Sequence, residues 1–135
     1  MQLRSATGWL VAMTASNAPQ PSDKGPRLAA ISTLTVGLFG QYTGRGPSKA
    51  RTFIDDDVVV VVLQDMLTTA ELTLVEHDRA KIVLATRKIF HEVMSEQLIA
   101  GIEQILQRSV IACLSDNHID PDIAIAVFVL APIKH

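Results

Sequence analysis

The segment RTFIDDDVVVVVLQD, residues 51–65, limits the architecture of this chain more than any other stretch. Three consecutive aspartates separate two runs rich in β-branched and apolar residues. Neighbours on an extended strand point to opposite faces, so Asp55, Asp56 and Asp57 cannot converge on one cation without further ligands. Aspartate also tolerates the positive φ of a tight turn. The acids therefore read as the turn of a β-hairpin, with strands near Ala50–Ile54 and Val58–Leu63. The valines do not alternate with polar residues, which predicts a strand covered on both faces. The domain's own helices supply one cover, and a second copy of the chain is the expected other.

The rest of the chain extends this pattern. Residues 17–26, NAPQPSDKGP, have linker composition, so residues 1–26 are expected to be a flexible extension and 27–135 a single domain. Trp9–Met13 is too short an apolar core for a secretory signal. Leu28, Ile31, Leu34, Leu38 and Tyr42 recur at helical spacing, and Gly44, Gly46 and Pro47 stop that helix. In LTTAE, Thr68 and Glu71 have capping-box spacing and open a short helix running to about Glu76. A longer helix is predicted over Arg79–Arg108, with Ile82, Ile89, Val93, Leu98, Ile102 and Ile105 facing inward and Gly101 at a close packing contact. Val110–Leu114, a turn at SDNHIDPD and Ile123–Leu130 form a second hairpin. The order α-β-β-α-α-β-β, with strands joined by short turns, predicts an α+β fold: a mainly antiparallel sheet packed by helices.

Composition narrows the function. Of 135 residues only 19% are charged and 48% are apolar, so the chain has more apolar surface to hide than an average domain. A homodimer or higher homo-oligomer is the expected outcome. A net charge of −2 and an aromatic content of 4% supply neither the positive field nor the stacking platforms that nucleic acid requires. No run approaches the ~18 apolar residues of a membrane span, which leaves a cytoplasmic protein or one held at the inner membrane by a partner. The single cysteine, Cys113, excludes an internal disulfide and lies in VIACL, the setting of a small buried hydrophobe.

Three sets of residues carry candidate chemistry. In GRGP, two glycines let successive amides face one concavity and Arg45 adds charge, an arrangement suited to an anion. Tyr42, Gly44, Arg45 and Gly46 are accordingly the candidate ligand or partner contacts. No metal site or cofactor is expected. Asp116, His118 and Asp120 come nearest to a metal site, but that loop has Pro121 and Val127 where a calcium loop needs glycine and glutamate. His77, and His91 with Ser95, lack the partners for a zinc or nucleophile motif and read as solvated helix residues; His135 is terminal.

Tyr42-Thr43-Gly44-Arg45-Gly46-Pro47, then RTFIDDDVVVVVL and LTTAE, with Arg87, Ile102-Glu103 and Ser115-Asp116 beyond, resemble the MpsC-like family. That family was formerly a bacterial domain of unknown function and is now named after a component of a sodium-translocating, membrane-potential-generating system. The likeness spans about Ile31 to Leu130. It implies a small protein tied to membrane ion translocation and brings no catalytic residue set. The leading expectation is thus a non-enzymatic accessory or regulatory module acting through oligomer or membrane-protein contacts. The alternatives are a small-anion sensor at the GRGP turn and, behind it, an enzyme using Asp116 or His118.

Overall fold

A computed structural model describes residues 24–133; most of the expected extension, residues 1–23, and His135 lie outside them. Three helices and four strands follow in the predicted order: α1 (Lys24–Thr43), β1 (Lys49–Asp55), β2 (Val58–Gln64), α2 (Thr69–Glu76), α3 (Ala80–Leu106), β3 (Val110–His118) and β4 (Ile123–Leu130). The fold is α+β. All strand pairs are antiparallel, and the order β1-β2-β4-β3 joins the two hairpins through their second strands.

The acidic break is a turn, and a tighter one than expected. Asp55 pairs with Val58, so only Asp56 and Asp57 lie outside the ladder, and Asp56 adopts a φ of 51°. The three carboxylates do not converge: Asp55 and Asp56 are exposed, and Asp57 accepts a 2.5 Å bond from Arg108. Arg108 also donates to the carbonyls of Asp56 and Ala131. It thereby ties the tip of the first hairpin to the end of β4.

Once the hairpin closes, strand alternation sorts the valines. Val59, Val61 and Leu63 are completely buried and pack with Ala124, Ala126, Phe128 and Leu130 of β4. Helical residues Ile31, Leu38, Phe39, Met94, Leu98 and Ile102 belong to the same core. All of these contacts form on one side of the sheet. Val58 is 38% exposed, and Val60 and Val62 are half-buried. Among the described residues no element covers that second face.

Two boundaries and one helix face differ from the sequence reading. Helix α1 already includes Lys24, Gly25 and Pro26, ahead of the expected start at Arg27. Strand β3 continues to His118 instead of ending at Leu114, which confines the second turn to residues 119–122. The inward stripe of α3 is also corrected. Leu98 and Ile102 are buried as expected, but Ile82, Ile89 and Val93 are 52%, 59% and 54% exposed. Val83, Arg87 and Met94 face inward in their place. The first half of α3 carries apolar residues in two adjacent frames (Ile82/Val83, Ile89/Phe90, Val93/Met94), so periodicity alone could not choose between them. Tertiary contacts did.

One such contact is Gly101. A β-carbon there would lie 2.4 Å from Leu34 Cδ2 of α1, so the glycine lets the two helices approach. Gly37, in contrast, has open space around its Cα position. The two positions should respond oppositely in urea denaturation. Gly37→Ala is expected to stabilise by about 0.5–1 kcal/mol through helix propensity. Gly101→Val should destabilise by about 1–3 kcal/mol through overpacking. Equal signs would contradict the helix contact.

Candidate functional site

Where β2 ends, the chain must cross from the sheet to the helix layer. It does so at Met66 and Leu67, whose side chains are 2% and 5% exposed and which belong to no helix or strand. Burying a non-repetitive dipeptide strands four backbone polar groups, each costing about 1–3 kcal/mol if unpaired. Charged side chains from three other segments satisfy all four. Asp122, in the second turn, accepts from the Met66 and Leu67 amides at 2.9 and 2.8 Å. Arg87 of α3 donates to the Met66 carbonyl at 2.7 Å, and Arg45 of the GRGP turn donates to the Leu67 carbonyl.

Both arginines have a second anchor. Arg87, 3% exposed, forms a two-pronged pair with Glu71, one of its bonds being 2.7 Å long. Glu71 is also the third residue of α2, where the predicted capping box is present: Thr68 accepts from the Glu71 amide and Glu71 accepts from the Thr68 amide. Burial alone would raise the Glu71 carboxyl, but the bonds from Arg87 and the Thr68 amide outweigh it and hold the group below its ordinary value. Arg45 pairs with Asp65 at 2.9 Å, their side chains being 40% and 59% exposed. The Ser48 hydroxyl, and then Arg45, keep the Asp65 carboxyl low.

The GRGP residues come together as a packed turn. Gly44 has a φ of 82°, a conformation that L side chains resist. A β-carbon on Gly46 would lie 2.9 Å from the Val36 carbonyl oxygen. Tyr42 lies one helical turn away and donates to Gln97 of α3 at 2.5 Å. Arg45 thus stands between solvent and the β2–α2 junction, with its charge already shared by Asp65 and a carbonyl. Sequence reasoning had singled out Arg45 but missed Arg87, Asp122 and Arg108 as its structural counterparts.

The loop acids and histidines stay apart. Asp116 accepts from the Asn117 amide, and His118 contacts the Pro121 carbonyl at 2.8 Å. Among the described residues no three histidine, cysteine or acidic side chains gather as a metal would require. A shallow cleft of about 560 Å³ lies between α3 and β3 and is lined by Lys88, His91, Glu92, Cys113 and Asp116, among others. There Cys113 Sγ sits 3.5 Å from His91 Nε2. Burial pushes the thiol up and the imidazole down. Both shifts favour the neutral pair, the opposite of the thiolate–imidazolium state that a cysteine nucleophile needs.

A family model described as "Na+-translocating membrane potential-generating system (MpsC)" matches residues 23–132. No curated protein and no solved structure matches the chain. Among the described residues no helix is long and apolar enough to cross a membrane.

The junction makes two predictions. Arg87→Met should cost about 3–5 kcal/mol, since it leaves a carboxylate buried without its partner. Arg45→Ala should cost only about 1 kcal/mol, because water replaces a half-exposed side chain. Reversed ranks in chemical denaturation would refute the junction. In addition, Glu71 has a folded-state value below its unfolded one. Its contribution is therefore complete above the unfolded value of about 4.5 and disappears as pH falls through the folded value. Glu71→Gln should accordingly flatten the acid limb of the stability–pH profile below that point.

Proposed function

The chain belongs to the MpsC family, and from that premise we propose that it is a non-enzymatic accessory or regulatory module of a membrane ion-translocating system. It works through contacts with copies of itself and with a membrane-protein partner, on the cytoplasmic side or at the inner membrane. One observation carries this reading: apolar surface is exposed on both sides of the domain. Phe53, Leu114 and Ile125 lie open on the strands, and Ile82, Ile89 and Val93 form a stripe on α3. Contiguous apolar area of this kind is characteristic of surfaces that meet other proteins. The charged groups that could have formed a reaction centre are instead engaged in holding the layers together.

A second reading draws on Arg45, which remains 40% exposed beside two glycines. An anion reaching the GRGP turn would compete with Asp65 for its guanidinium.

Thermal unfolding in the presence of phosphate, bicarbonate, nucleotides or divalent cations separates these readings. The accessory module predicts the same midpoint throughout. A rise with one anion that Arg45→Ala abolishes would establish the sensor in its place. A metal-dependent rise lost in Asp116→Ala would point to an enzyme.

A further inference from the structure

We propose that the outer face of the sheet is a homodimer interface, on which a second copy of the chain lays its own outer face. This rests on the accessory-module reading and specifies one of its contact surfaces and the occupant of that surface.

The strand registers define the face. Its middle row runs Phe53, Val60, Val127 and Leu114 across the four strands, and the next row runs Arg51, Val62, Ile125 and Asp116. Apolar side chains thus fill the centre, where Phe53 is 49% exposed and Leu114 59%. Charge is restricted to the two edge strands. With strands about 4.8 Å apart and residues about 3.4 Å apart along them, the face measures on the order of 20 by 25 Å. That is toward the smaller end of stable interfaces, so the dimer should form reversibly in the micromolar range.

The charge arrangement selects a second copy as the occupant. A two-fold axis parallel to the strands lays β1 over the partner's β3 and sets Arg51 against the carboxylate of Asp116 at the far end of its own row. The same axis sets Phe53 against Leu114. A two-fold axis across the strands lays β1 over β1 and brings Arg51 to Asp55, four residues along the same strand. Either symmetric packing aligns the Arg51 cation with an anion, so the face complements itself. The Arg51 guanidinium lies 5.5 Å from the centroid of the Phe53 ring. A cation–aromatic pair at the margin of an apolar patch has the composition of an interface anchor.

Sedimentation velocity of the full chain across the micromolar range tests the proposal. Wild type should pass from monomer to dimer as concentration rises. Phe53→Glu should weaken dimerisation roughly 30-fold or more, with an unchanged circular dichroism spectrum because the ring is not part of the core. Arg51→Asp should weaken it as well. Either Arg51→Asp/Asp116→Arg or Arg51→Asp/Asp55→Arg should restore it, and the one that does identifies the axis.

A chain that stays monomeric, whatever else then covers the face, overturns the proposal. So does a dimer indifferent to Phe53→Glu and to every charge exchange. These failures are distinguishable from failure of the parent reading. A monomer with no ligand-dependent thermal shift removes the dimer and leaves an accessory module that acts through its membrane-protein partner alone. A dimer with such a shift does the reverse.

Discussion

The dipeptide Met66–Leu67 must be buried without belonging to any ladder, and the arrangement of the whole domain follows from how that is achieved. Two apolar side chains favour burial while their four backbone polar groups oppose it. Asp122 takes both amides, Arg87 one carbonyl and Arg45 the other. The three side chains come from the second hairpin, the long helix and the turn after α1. A single crossing point therefore fixes the relative positions of four parts of the chain. Arg108 performs the same service at the opposite end of the sheet, where it joins the Asp56–Asp57 turn to the end of β4.

Arg87, Glu71, Asp122 and Arg108 are all bound to backbone or to one another, so their charges join separate segments of the fold. The cleft between α3 and β3 holds a histidine and a cysteine that burial favours in their neutral forms. The domain instead offers its surroundings apolar area: an uncovered sheet face behind the buried valines, and a stripe on α3 facing away from the core. In the function proposed above, these surfaces are where the MpsC-family chain meets its partners.

Much of the fold was legible because its signals are local. The turn at the aspartates, the Thr68–Glu71 capping box and the stop at Gly44–Pro47 each depend on residues within a few positions of one another. Gly101 was legible as a close contact since glycine is costly inside a helix without a packing reason. The junction was not legible. Its bonds join residues 16 to 56 positions apart, and no periodicity marks Asp122 or Arg87 as partners of Met66. The rotation of α3 was misread for the same reason. Two apolar frames coexist in Ile82–Met94, and the inward one is set by where Arg87 must reach and where Gly101 must touch. Arg45 was recognised as the residue the turn itself does not need, but the carbonyl that engages it lies 22 residues away.

Amide hydrogen exchange at Met66 and Leu67, followed by NMR, addresses the crossing point most directly. Neither residue is in a helix or strand, yet if Asp122 holds both amides within a buried junction, they should exchange as slowly as those of Val59 and Val61 in the central strand. Exchange as fast as in the exposed Asp56 turn would show that the junction opens independently of the core, and the account of how the layers are joined would fail.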